Sequence, residues 1–170
     1  CQAESQDVIV TPNTTPAALT APTMVSCIGD TDGTITLTPS GGIIPYQYSI
    51  NGGAYQSSNV FTGLAFGNYS IVVKDAKECT SVVIPVSITE PTAVTASATV
   101  TPFGCNTANA PQDAIVTIIS GGGTPGYTYS FDGGSTFQIS ASFTVNSAQT
   151  INYVVRDANG CSFSDSAVVA

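Results

Sequence analysis

Two sets of side chains in this 170-residue chain have the types and spacing to do chemistry: five cysteines at recurring positions and a pair of aspartates in a turn. Cys1, Cys79 and Cys161 occupy one kind of site, just after a hairpin turn, and Cys27 and Cys105 another, between two early strands. Thiols can act as nucleophiles, metal ligands or disulfide partners. No C-x-x-C spacing occurs, and histidine is absent. A Ser-His triad, a Cys-His pair or a His-ligated metal therefore cannot be assembled. The eleven carboxylates fall mostly in predicted turns, and nothing brings two of them across a cleft as glycoside hydrolysis needs. We assign no catalytic residue and no enzyme activity. The aspartates stand in "GDTDGT", where Asp30, Asp32 and Gly33 resemble the opening of a calcium loop but lack the later bidentate glutamate. Two readings stay open: a polar turn whose aspartates bond their own backbone, and a weak calcium site at Asp30 and Asp32. No other cofactor is expected.

The elements that must carry these groups read as strands. "TITLT" (34–38), "YQYSI" (46–50), "YSIVV" (69–73), "VTASATV" (94–100), "AIVTI" (114–118) and "NYVVRD" (152–157) alternate or cluster β-branched and aromatic residues between Gly, Pro and Asn-Gly turns. Helical periodicity is not sustained anywhere. Short strands at this spacing predict antiparallel sandwiches. The formal charge is -8, and Lys74, Lys77 and Arg156 are the only basic side chains, too few to release counterions from a nucleic acid. No apolar run reaches the roughly 20 residues of a spanning helix, so direct membrane insertion is not expected. The opening "CQAESQDVIV" has no signal-peptide pattern.

The chain repeats itself. "SGGIIPYQYSINGG" (40–53) returns as "SGGGTPGYTYSFDGG" (120–134), and "NYSIVVKDAKEC" (68–79) as "TINYVVRDANGC" (150–161). The alignment predicts the last strand of a preceding module at 1–12 and two immunoglobulin-like repeats at 13–91 and 92–170. In the first repeat Gly41 and Gly42 are free to take positive φ, and Pro45 ends the loop. Tyr46, Tyr48 and Ile50 are expected on the core face, with Gln47 and Ser49 opposite. "NGG" predicts a tight turn. Leu64, Gly67 and Tyr69 form a tyrosine corner, in which a phenol bonds back to the chain. Gly121, Gly122, Pro125, Tyr127 and Tyr129 take the corresponding structural roles in the second copy. The tyrosines could also form a sugar platform, but their period of two favours core packing.

The order of landmarks "GG-x-x-PY-x-YS", "L-x-x-G-x-Y-x-I-x-V-x-D", Cys79 and "ITEP" resembles the SprB-type repeat of Bacteroidota surface proteins. Asp75 is one of those landmarks. The resemblance implies an extracellular, cell-surface location, export by the type 9 secretion system, and an adhesin-like role that extends to gliding motility in some members. It makes neighbouring repeats of a longer chain the first partners, with surface glycans or other copies of a filament as further ones. Two function classes follow: a structural stalk of tandem immunoglobulin-like antiparallel β-sandwiches arranged end to end, and a module that binds glycan or protein through its loops. Lack of tryptophan and of clustered exposed aromatics favours the stalk; Tyr55 and Phe137 are the side chains whose mutation tests the other reading. Sequons at Asn13 and Asn68, and Asp165-Ser166-Ala167, are the glycosylation candidates.

In an exported repeat the cysteines are expected as disulfides. Pairing within modules, Cys27 with Cys79 and Cys105 with Cys161, closes loops of about 50 residues, each contributing roughly 4 kcal/mol by chain entropy. An immunoglobulin-like strand order places those partners at opposite ends of a sandwich, beyond the roughly 7 Å that bridged Cα atoms allow. End-to-end modules would instead bring Cys27 to Cys161, leaving Cys1, Cys79 and Cys105 for modules outside this stretch. The staple is the expected pair, and within-module pairing the alternative.

Overall fold

The computed structural model describes residues 14–170, so the strand expected at 1–12, Cys1 and Asn13 lie outside the described residues. Every regular element among these residues is a β-strand, and every strand pairing is antiparallel. The chain forms two compact units. Among the described residues, unit 1 holds 14–23 and Gly33–Ile88; unit 2 holds Thr89–Ala170 and, in addition, Met24–Asp32.

Unit 1 contains β1 (Ala17–Thr23), β2 (Gly33–Ser40), β3 (Gln47–Ile50), β4 (Val60–Leu64), β5 (Gly67–Lys74) and β6 (Ile84–Ile88). One sheet has the order β1-β2-β4 and the other β3-β5-β6. Alternation decides which side chains go inside. Ile35 and Leu37 of β2, and Ile71 and Val73 of β5, are fully buried, joined by Tyr48, Phe61, Val86 and Ile88. Apolar side chains from both sheets thus share one core, the arrangement of a sandwich. Burying an aliphatic side chain of this size stabilises by about 1.5–3 kcal/mol, and β-branched residues suit the pleated surface.

Unit 2 repeats the plan with β7 (Thr95–Thr101), β8 (Gly104–Cys105), β9 (Pro111–Gln112), β10 (Ala114–Gly121), β11 (Thr128–Ser130), β12 (Ser142–Val145), β13 (Gln149–Arg156) and β14 (Ser162–Val169). Its sheets run β12-β10-β7 and β11-β13-β14, with β8 and β9 as a small ribbon. Val116 and Ile118 from the first sheet cluster with Tyr153, Val155 and Val169 from the second.

Three details differ from the expected roles. Ser49, assigned to the outer face, is buried because its hydroxyl donates to the Gly53 carbonyl at 2.7 Å. Tyr46 is only half-buried, since its hydroxyl reaches back to the Gly41 carbonyl oxygen. The glycines matching Gly41 and Gly42 are Gly122 and Gly123 rather than Gly121 and Gly122. Gly121 is the last residue of β10, opposite Thr95, so the extra residue of the second copy is taken up in the loop. A Cβ at Gly41 would stand 2.5 Å from the Thr15 carbonyl oxygen, and one at Gly122 only 1.9 Å from that of Ala93. Both residues have φ of +67°, so close approach and backbone conformation each require glycine.

Candidate functional site

Each unit has one polar corner built the same way. β5 runs into Asp75, which is only 3 % exposed. Its Oδ1 accepts the backbone N–H groups of Lys77 and Cys79, both at 2.9 Å, and its Oδ2 accepts that of Ile43 at 3.1 Å. The Asp75 N–H donates to the Cys79 carbonyl, and the Ala76 N–H to the Ile43 carbonyl. In unit 2 Asp157 accepts from Asn159 and Cys161 at 2.9 Å and from Thr124 at 2.8 Å. The Tyr127 hydroxyl donates to Gly122 as Tyr46 does to Gly41. A buried carboxylate holding three N–H groups in charge-assisted bonds ties the glycine loop to the hairpin that carries the cysteine. The role of these aspartates was missed in the sequence. Its signal is the recurring Asp-x-x-x-Cys, an aspartate bonding its own downstream backbone. Tyr69, the corner tyrosine of unit 1, donates from its hydroxyl to the Ala65 carbonyl at 2.9 Å.

Cys161, on the Asp157 hairpin, is bonded to Cys27, with Cα atoms 5.6 Å apart and a sequence separation of 134. The segment that carries Cys27 leaves β1 and returns into β2, yet belongs to unit 2. Several bonds seat it there. Val25 is fully buried and its N–H donates to the Thr89 carbonyl at 3.2 Å. Asn159 Nδ2 donates to the Ser26 carbonyl at 3.1 Å, and the Gly29 N–H to Glu90 Oε2 at 3.3 Å. The within-module alternatives, Cys27 with Cys79 and Cys105 with Cys161, do not form. Cys27 sits in unit 2 whereas Cys79 sits in unit 1, and Cys161 is already taken. Cys79 and Cys105 are exposed free thiols.

The calcium candidates lie in this same segment. Asp32 accepts the Ser26 N–H at 2.9 Å and the Ser26 hydroxyl, bonds that hold its carboxyl below the usual carboxylate range. The Asp30 N–H donates to the Cys27 carbonyl at 3.1 Å. Asp32 thereby braces the turn that presents Cys27. No group of three His, Cys, Asp or Glu side chains gathers as a metal-ligand set among the described residues. Asn68 Oδ1 accepts the Ser87 hydroxyl at 2.6 Å, and Ser166 is exposed on β14.

Unit 2 also gathers four aromatic rings, of which Tyr129 and Phe131 are buried, Phe137 is half-buried and only Phe143 is exposed. Phe131, Phe137, Phe143 and Tyr129 line an open cleft of about 290 Å³ with Asp132, Thr136 and Gln138. The rings of Phe131 and Phe143 stack at 5.1 Å, and the Arg156 guanidinium lies 4.0 Å from the Phe137 ring centre. In unit 1 Lys74 covers Tyr55 at 4.6 Å. Sequence spacing could not reveal the cleft, because its rings come from a strand end, a turn and a strand of the other sheet.

Among the described residues no helix is long and apolar enough to cross a membrane. No curated protein matches the chain. Residues 19–55, which cover most of β1, the Cys27 segment, β2, β3 and the Asn51 turn, match the family model of the SprB repeat, a structural repeat found in cell-surface proteins.

Proposed function

We propose that the chain is a load-bearing repeat segment of a secreted surface adhesin, serving attachment and, in gliding cells, motility. The Cys27–Cys161 bond supports this reading most directly. Tension applied upstream of Cys27 and downstream of Cys161 passes through the sulfur atoms, and the intervening chain carries none of it covalently. The strands from β2 to β13, which supply most of both cores, lie inside that bypass, while β1 and β14 lie outside it. Its partners on this reading are neighbouring repeats outside the cell, and it binds neither nucleic acid nor membrane. Single-molecule stretching of the full chain tests it. Reduction should release on the order of 450 Å of extra contour, about 3.3–3.6 Å for each residue of the 134-position separation. Equal extension with and without reductant would remove the load-bearing role.

The aromatic cleft supports a second reading, in which unit 2 binds a glycan whose apolar face stacks on Phe137. Saturable binding on a glycan array that Phe137→Ala abolishes is the expected outcome. Binding that Phe137→Ala leaves intact would discard that reading.

A further inference from the structure

Cys79 and Cys105 repeat in sequence the positions of Cys161 and Cys27, which are bonded to each other, but are themselves free. The Cys79 hairpin repeats the Cys161 hairpin bond for bond: the aspartate four residues earlier accepts two hairpin N–H groups at 2.9 Å, and its own N–H donates to the cysteine carbonyl at 3.0 Å in one and 2.9 Å in the other. The Cys161 copy is bonded to a segment that interrupts β1 and β2. Cys105 stands in the corresponding interruption, between β7 and β10. The turn that follows it is held by Asn106, whose Oδ1 accepts the N–H groups of Ala108 at 2.9 Å and Ala110 at 3.0 Å.

A second observation at the Cys79 hairpin points to an occupant. Ile44 and Val82, beside it in the loop and in the following chain, are 74 % and 84 % exposed. A cleft of about 330 Å³ lined by Pro45, Tyr46, Asp75, Ala76 and Glu78 opens alongside. Exposed aliphatics in the segments that flank a free thiol are what an incoming segment like Met24–Asp32, with its buried Val25, would cover.

We infer that Cys79 accepts the Cys105-type segment of another SprB-type module in a disulfide, and that Cys105 in turn bonds the Cys79-type hairpin of a further one. The contact is heterologous, with different surfaces on its two sides, so it propagates instead of closing. The chemistry is thiol–disulfide exchange with a disulfide oxidant such as oxidised glutathione. The Cys79 thiolate attacks one sulfur of the oxidant and releases one reduced glutathione. The Cys105 thiolate then attacks the mixed disulfide and releases the second. Two thiols lose two protons and two electrons, and the oxidant becomes two thiols.

This inference rests on the reading of the chain as a repeat segment, but its test does not touch Cys27 or Cys161, so the stretching experiment stands or falls separately. Two full-length variants are mixed in equal amounts in a glutathione redox buffer: Cys1→Ser with Cys79→Ser, and Cys1→Ser with Cys105→Ser. Peptide mapping first verifies that each retains the Cys27–Cys161 bond. The expected product is a Cys79–Cys105 heterodimer in at least about twentyfold excess over either homodimer, the statistical factor of two multiplied by the tenfold preference that a docking difference of about 1.4 kcal/mol confers. A statistical mixture, with the heterodimer only about twice each homodimer, would overturn the inference. No dimer at millimolar chain would overturn it equally.

Discussion

The corners of the two units and the tips of their hairpins answer the same problem in opposite ways. At the corners, Asp75 and Asp157 make the same three bonds to backbone N–H groups, and both are at most 4 % exposed. At the tips the solutions diverge. Unit 1 turns tightly through Asn51 and Gly52, at φ of 50° and 73°, with Asn51 Oδ1 accepting the Ser70 N–H at 2.9 Å. Unit 2 is one residue longer between its bridged positions, Tyr129 and Gln138 against Tyr48 and Gln56. There the Asp132 carboxylate gathers the Ser130 hydroxyl and the N–H groups of Ser135 and Thr136, with the Thr136 hydroxyl at 2.6 Å. A buried carboxylate must find its donors inside the protein, so the corner tolerates one design. Groups at an exposed tip can bond water, so two designs serve.

The largest separation of the two units should come from reductant. Opening Cys27–Cys161 is expected to destabilise unit 2 by about 2–5 kcal/mol, the usual range for a native bond closing a long loop, and to affect unit 1, whose Cys79 is free, much less. Calorimetry with and without reductant measures both transitions. Equal losses in the two units would show that the bond does not distinguish them.

Next in size are the corners, which should respond alike. Asp75→Ala and Asp157→Ala each strand three N–H groups, and each is expected to cost its own unit about 3–4 kcal/mol. Denaturant unfolding of the two variants checks this. A cost below about 1 kcal/mol in either unit would mean that its corner is hydrated.

The smallest effects belong to the tips, and there the units should differ in kind. Asn51→Ala keeps a Cβ at positive φ but removes the side-chain oxygen that accepts the Ser70 N–H, and is expected to cost unit 1 about 1 kcal/mol. In unit 2 the hydrogen bonds from Ser130 and Thr136 hold the Asp132 carboxyl well below the usual carboxylate range. The folded value is depressed, so its contribution is complete above the unfolded value of about 3.9 and is lost as pH falls through the folded value. Below about pH 4, Asp132→Asn should therefore flatten the acid-induced fall in the unfolding midpoint of unit 2. An unchanged acid limb would assign that fall to other carboxylates, Asp32 first among them, since its carboxyl is lowered as well.

Local pattern alone settled much of this protein. β-Branched residues alternating with Thr and Ser have one comfortable backbone, so the β-strands and their antiparallel order were legible before any coordinates. The tight turn at Asn51 was equally legible, because few residues accept positive φ. Even the cysteine pair could be reasoned out, given a strand order. Other features depended on tertiary structure. Ser49 alternates as an outward residue but is buried, because a carbonyl four residues on needed a donor. The role of Asp75 and Asp157 depends on N–H groups more than thirty positions away as well as nearby ones. The rings around Phe137 meet only when β11 and β12 of different sheets are packed. Sequence spacing encodes which face a residue takes within its own strand; which distant groups then meet it is decided by the packing of sheets, where unpaired buried polar groups and unfilled apolar space both cost free energy.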